Sequence, residues 1–171
     1  MRMRPGKVIW ITGLSGAGKT TLAKAVSARL TESCILLDGD DMRQALVLLA
    51  GGYDYESRKK LALTYSRLCK LLAEQGAIVI CATISMFKDV HDWNRANLPG
   101  YTEVYLQASE VLRKKRDKKN IYSCGNYLSS TPVAGSDFDV EFPESPDILI
   151  EQDTCGFEES INVILTHISA S

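Results

Sequence analysis

Short aliphatic runs alternate along this chain with segments whose apolar residues recur every three or four positions. KVIWIT, Lys7 to Thr12, is a β-branched run of strand length. From Thr20 to Leu30, the residues Leu22, Val26 and Leu30 share one helical face. CILLD, Cys34 to Asp38, reads as a second buried strand. A helix is expected over Asp41 to Ala50, halted by Gly51 and Gly52. The strongest helical period runs from Tyr55 to Gln75, through Leu61, Tyr65, Leu68 and Leu72, with Gly76 placed to cap its end. AIVICAT, Ala77 to Thr83, is apolar on both faces, as a central parallel strand should be. Phe87 to Asn97 predicts a helix, Pro99-Gly100 a turn, and YTEVYL a fourth strand. A polar helix follows over Glu110 to Lys118, then a fifth strand, DILIE, from Asp147 to Glu151. Phe157 to Ser169 closes the pattern as an amphipathic helix with Ile161, Ile164, Leu165 and Ile168 on its apolar stripe.

This alternation predicts an α/β fold: a five-stranded parallel sheet with helices on both faces, in three layers. Asn120 to Pro146 breaks the rhythm, being rich in Ser, Gly, Pro and Asp. Such a stretch in a compact domain reads as a functional lid or a disordered stretch, and residues 113–146 are assigned to a lid or irregular segment. A length of 171 residues suits one domain, taken as 1–171.

Composition narrows the functional classes. A hydrophobic content of 45% and a net charge of −1 fit a soluble protein with no field to recruit nucleic acid or an anionic membrane. The basic run RKKRDKK, Arg113 to Lys119, reads as a solvated helix end. The apolar run after the basic MRMRPGK is too short for a signal peptide or a membrane span, so a cytoplasmic protein is expected. The five cysteines contain no C-x-x-C pair, which argues against structural zinc and a disulfide framework. Cys69 and Cys81 read as core residues, Trp93 as packing, and His91 and His167 as surface positions.

The chemistry begins at Gly13 to Thr20, GLSGAGKT, a full match to G-x-x-x-x-G-K-[ST] between a strand and a helix. Backbone amides of Gly13, Ser15, Gly16, Ala17 and Gly18 would cradle phosphates, with the helix N-terminus adding positive potential. Lys19 would reach the β- and γ-phosphates, and the Thr20 hydroxyl would bind Mg²⁺. Thr21 reads as a helix-start residue and is counted with the nucleotide contacts. The motif implies ATP or a related triphosphate. No guanine-reading N-K-x-D appears, and the third strand ends CATIS without an acid. The carboxylates lie instead after the second strand, in DGDDMR, where strand ends line the ligand crevice. Asp38 and Asp40 would face the phosphates; the competing role for one of these acids is a helix N-cap. This placement is that of a small kinase.

These residues together resemble the adenylylsulfate kinases, P-loop enzymes that move the γ-phosphate of ATP to the ribose 3′-hydroxyl of adenosine 5′-phosphosulfate. The resemblance rests on GLSGAGKTT, on LDGDDMR against L-D-G-D-N-x-R, and on Gly52, Tyr53 and Arg58 against G-F-S-x-x-D-R. Ala82, Ile84 and Ser85 echo A-x-I-S-P; Arg116, Asp117, Lys119, Ile121 and Tyr122 echo a lid motif; Pro143, Glu144 and Pro146 match P-E-x-P. It implies that Asp40 orients the attacking hydroxyl and, with Thr20, serves the metal. It places Asp38, Asp41, Arg43, Tyr53, Arg58, Ile84 and Ser85 around the acceptor, and Arg116 over ATP. A homodimer is implied by the same analogy, with a nucleotide-linked small molecule as substrate and neither nucleic acid nor membrane as partner.

The departures gather on the acceptor side. Asp41 replaces Asn, Met86 replaces Pro, Leu61 replaces Asn, and Thr131 to Gly135 replace the lid's K-N-F-T-G. They open an alternative: a cytidine diphosphoramidate kinase of the kind used in capsule modification, against the sulfate-assimilation default. A kinase for an unrelated metabolite and a nucleotide-binding module without activity remain the other readings.

Overall fold

The computed structural model describes residues 5–46, 52–116 and 139–170. Five strands form one parallel sheet: β1 (Lys7–Thr12), β2 (Cys34–Asp38), β3 (Ile78–Ala82), β4 (Tyr101–Gln107) and β5 (Ile148–Glu151). Their order is β2-β3-β1-β4-β5, so the chain winds outward from β1 in both directions. Ala82 lies opposite both Ile11 and Asp38, and Thr12 opposite Tyr105. The C-terminal ends are thereby level, and the loops that follow them share one rim. This is the crevice expected of an open parallel sheet.

Alternation along the strands divides the core in two. Ile9, Ile11, Ile80, Val104 and Leu106 face α1 (Lys19–Arg29) and the closing helix, whose Ile161 and Ile164 are fully buried. Val8, Trp10, Val79 and Cys81 face α3 (Tyr55–Glu74) and α4 (Lys88–Asn97), meeting Leu61, Tyr65, Cys69 and Val90. Each such aliphatic side chain contributes about 1.5–3 kcal/mol on burial, so the two layers hold the rim rigidly. Cys69 and Cys81 are core residues as expected, and Trp93 packs partly buried against the second layer. The remaining helices are α2 (Gly39–Ala45), α5 (Glu110–Lys115) and α6 (Phe157–Ala170). No helix among the described residues is long and apolar enough to cross a membrane.

Three differences from the sequence reading have clear causes. α2 begins at Gly39 rather than Asp41, because Asp38 caps it by accepting from the Asp40 amide at 3.0 Å. β5 begins at Ile148, since the Asp147 carboxylate turns inward to accept from the Glu103 amide at 2.7 Å. His91, expected at the surface, is 8% exposed, because its Nδ1 lies 2.6 Å from the buried Glu103 carboxylate. The expected ends of α2 at Ala50 and of α5 at Lys118 lie outside the described residues. So does the lid segment up to residue 138, with Asp117, Lys119, Ile121, Tyr122 and Thr131 to Gly135. Where the chain re-enters the described structure, the Glu141 amide donates to the Met86 carbonyl and its carboxylate accepts from the Lys88 amide at the start of α4.

Candidate active site

The phosphate-binding turn is built by backbone conformations that side chains disfavour. Gly16 and Gly18 have φ of 80° and 96°. A Cβ on Gly16 would approach the Arg113 carbonyl to 2.8 Å, so α5 sits directly on the loop and admits only glycine there. Ala17 is fully buried and its amide donates to the Leu14 carbonyl at 3.2 Å, closing the turn. Gly18 caps α1, whose first residues are Lys19, Thr20 and Thr21. The Lys19 ammonium donates to the Leu14 carbonyl at 3.0 Å, which places it across the cradle, while Thr21 points to the exposed side.

The acidic turn meets this cradle directly. The Thr20 hydroxyl donates to the Asp38 carboxylate at 2.6 Å, and the other oxygen of Asp38 accepts from the Asp40 amide. Asp38 therefore does both things the sequence left open: it caps α2 and it faces the P-loop. Asp40 and Asp41 follow in the exposed first turn of α2. The metal pair expected was Thr20 with Asp40; the carboxylate bonded to Thr20 is that of Asp38. The Thr20 hydroxyl and the carboxylates of the acidic turn give the hard oxygen donors that Mg²⁺ takes, alongside phosphate and water.

A second group gathers between α2 and α3. The Arg43 guanidinium donates to the Gly52 carbonyl at 2.7 Å and lies 4.0 Å over the Tyr53 ring. Arg58 donates to the Tyr53 carbonyl at 2.7 Å, with its guanidinium 5.3 Å from the same ring. Tyr53 is 42% exposed, an aromatic face held by two cations at the rim. After β3, the Thr12 hydroxyl donates to the Ile84 carbonyl, and the hydroxyls of Thr83 and Ser85 lie 2.9 Å apart. Ser85 has φ of 32°, the only positive value among the described non-glycine residues. Such strain persists where surrounding contacts impose it.

Arg116 closes the far side: it donates to the Gln152 side chain at 3.1 Å and to the Ala17 carbonyl at 3.5 Å. Arg113, expected in a solvated helix end, is buried against the loop instead. Of the residues the sequence reading brought together, Lys19, Thr20, Asp38 and Asp40 meet at the P-loop and acidic turn, Arg43, Tyr53 and Arg58 form one cluster, and Ser85 bonds Thr83 after β3. It missed Thr83, Gln152 and Tyr65. The signal for the first two was their place just at or beyond the C-terminal ends of β3 and β5. Tyr65 carried only a core signal; its hydroxyl nevertheless reaches the Gly39 carbonyl at 3.2 Å.

Comparison with known proteins identifies the family. The sequence pattern of the Adenylylsulphate kinase family matches residues 5–151. The cytidine diphosphoramidate kinase of Campylobacter jejuni is 33% identical over 165 residues, covering 95% of this chain and 96% of that protein. The adenylyl-sulfate kinase of Bacillus velezensis is 31% identical over 169 residues, covering 96% of this chain and 85% of that protein. The crystal structure of the Mycobacterium tuberculosis APS kinase CysC in complex with AMPPNP and APS superposes with a TM-score of 0.86 at 26% identity, over 96% of this chain and 98% of that one. On this full-length similarity, the chain belongs to the adenylylsulphate kinase family and is an ATP-dependent kinase.

Proposed function

We propose that this kinase transfers the γ-phosphate of MgATP to the ribose 3′-hydroxyl of a nucleotide-linked acid, and that cytidine diphosphoramidate is the acceptor it fits best. The observation that carries the choice is Asp41, an acid in the exposed first turn of α2 beside Asp40. A sulfate presents only acceptors, which a carboxylate repels, whereas a phosphoramidate presents N–H groups that a carboxylate accepts. The full-length similarity to the Campylobacter enzyme agrees with this. Adenosine 5′-phosphosulfate is the second reading, favoured by Asp38, Asp40, Arg43 and Ser85, which keep that pattern.

The P-loop amides and Lys19 bind and orient the triphosphate. Thr20, with Asp38 and Asp40, would hold Mg²⁺, which when bound neutralises charge between the β- and γ-phosphates. Asp40 orients the 3′-hydroxyl and accepts its proton as the new oxygen–phosphorus bond forms and the bond to the ADP oxygen breaks. Arg43 and Arg58 hold the acceptor's anionic tail, Tyr53 supports its base, and Ile84 and Ser85 line its approach. Arg116 anchors the lid edge near ATP. Phosphoryl transfer needs little beyond such positioning and neutralisation. The cell's ATP makes the cytoplasm its place of work.

An ADP-release assay with both nucleotides, followed by ³¹P NMR of the product, tests the reading. The expected product is a cytidine conjugate bearing a 3′-phosphate. Preference for adenosine phosphosulfate selects the second reading, and a 3′-phosphate on neither nucleotide rejects both.

A further inference from the structure

The acidic turn is pinned at its glycine as well as at its acids. Gly39 stands between Asp38 and Asp40, and its carbonyl accepts from the Tyr65 hydroxyl at 3.2 Å. Tyr65 rises from the middle of α3 and is 4% exposed. On its other side Gly39 lies against the end of β3: an added Cβ would come within 3.0 Å of the Thr83 hydroxyl oxygen. That hydroxyl is in turn bonded to Ser85. The turn is thus held from below by α3, from the side by β3, and from the P-loop by Thr20.

α3 also carries Arg58, seven residues before Tyr65, close to two helical turns and so on nearly the same face. One rigid element therefore touches both the acceptor side of the rim, at Tyr53, and the turn that bears Asp40. Burial holds the Tyr65 hydroxyl well above the ordinary tyrosine pKa; nearby Arg43 opposes this, while Cys81, Asp40 and Asp38 reinforce it. The group stays a neutral donor across the working range. Leu61 and Cys69, one turn to either side, are core residues.

We propose that Tyr65 is a positioning residue for phosphoryl transfer: by holding the Gly39 carbonyl it fixes the direction of the Asp40 carboxylate toward the acceptor hydroxyl. This rests on the role given to Asp40 above. The contribution is geometric. A misplacement of about 1 Å can cost on the order of a hundredfold in rate, and a smaller tilt correspondingly less.

Tyr65→Phe removes one oxygen and keeps the ring in the core. In a helix starting at Gly39, that carbonyl also accepts from the amide four residues on, so the fold survives the change. The variant and wild type are compared with cytidine diphosphoramidate and, separately, with adenosine 5′-phosphosulfate as acceptor. The expected result is a fall in kcat of roughly tenfold with the KM for ATP unchanged. On an Asp40→Asn background, Tyr65→Phe is expected to add nothing, because the group it positions is gone. A kcat within about twofold of wild type overturns the inference, as does an equal loss on both backgrounds, which marks a merely structural role. If Asp40→Asn itself keeps wild-type turnover, the role of Asp40 fails first and takes this inference with it. If wild type turns over neither nucleotide, the proposed function and this inference fall together.

Discussion

The Thr20 hydroxyl and the Asp38 carboxylate meet at 2.6 Å, joining the phosphate loop to the acidic turn. Asp38 also caps α2 through the Asp40 amide, so one side chain has a structural and an electrostatic part. The two parts separate by substitution. Asp38→Asn keeps a good N-cap and loses the charge, so thermal melting should stay within about 1 °C of wild type while turnover falls at least tenfold. Asp38→Ala loses both; removing a cap costs about 1 kcal/mol, or about 2–4 °C of Tm in a protein of this size. Melting curves and ADP release on the two variants check this. Equal melting temperatures for the two would remove the capping role.

Asp40 is assigned to the transfer step and shares the Mg²⁺ with Thr20 and Asp38, which keep MgATP in place without it. Asp40→Ala should leave ATP binding intact and lower kcat by about 10²–10⁴, the usual contribution of a positioned acid or base. Calorimetric titration with a non-hydrolysable ATP analogue and single-turnover kinetics separate the two quantities. Turnover near the wild-type rate would show that another group receives the proton.

Much of this site was legible because its chemistry follows chain order. GLSGAGKT sits between a strand and a helix, and DGDDMR follows a strand, so the parallel-sheet rule alone brings them to one rim. The long period of α3 and the doubly apolar β3 were equally plain, since burial on known faces sets them. What the pattern could not give was tertiary. Tyr65 reads as one more core position, and only the packing of α3 against β3 and β1 shows its hydroxyl at Gly39. His91 has polar neighbours in sequence; its partner, Glu103, lies on another element and draws it inside. Arg113 sits in a run of cations, yet it is buried and packs against the P-loop at Gly16.

Tyr53 offers a test of the acceptor side. Its ring is exposed between Arg43 and Arg58, and stacking a base on such a ring contributes about 1–3 kcal/mol. Tyr53→Ala should therefore raise the acceptor KM roughly 5–150-fold and leave the KM for ATP unchanged. Initial rates over both substrate concentrations measure this. An unchanged acceptor KM would place the base elsewhere.

The buried cluster beneath α4 sets an acid limit on stability. Glu103 is 3% exposed and meets His91 and Arg95 from α4 and Tyr101 from its own strand, while its amide donates to Asp147. Burial pushes the Glu103 carboxyl upward, but the His91 hydrogen bond and charge, the Tyr101 hydroxyl and Arg95 together outweigh it and hold the pKa below the usual glutamate value. A depressed carboxyl stabilises the fold above its unfolded pKa of about 4.3, and that stabilisation is lost as pH falls through the folded value. Glu103→Gln should be less stable at pH 7 by about 1–3 kcal/mol and should show a shallower loss of stability below about pH 4.5. Urea unfolding across pH 3–7 measures both. Parallel pH profiles for the two proteins would show that Glu103 does not report the acid transition.

On the proposed reading Asp41 selects the acceptor, so its conservative variant should move the balance. Asp41→Asn restores the neutral amide of the sulfate-using pattern at an exposed position that Asp38, not Asp41, caps, so folding is unaffected. A carboxylate accepting an N–H from a phosphoramidate forms a charge-assisted bond of about 1.5–3 kcal/mol, and the same carboxylate repels a sulfate. Both effects act in one direction on the ratio of kcat/KM for cytidine diphosphoramidate to that for adenosine 5′-phosphosulfate. The ratio should fall by at least about tenfold in the variant, with the KM for ATP constant. Competition between the two nucleotides in one reaction, read by ³¹P NMR, gives the ratio without separate calibration. An unchanged ratio would remove Asp41 from acceptor recognition.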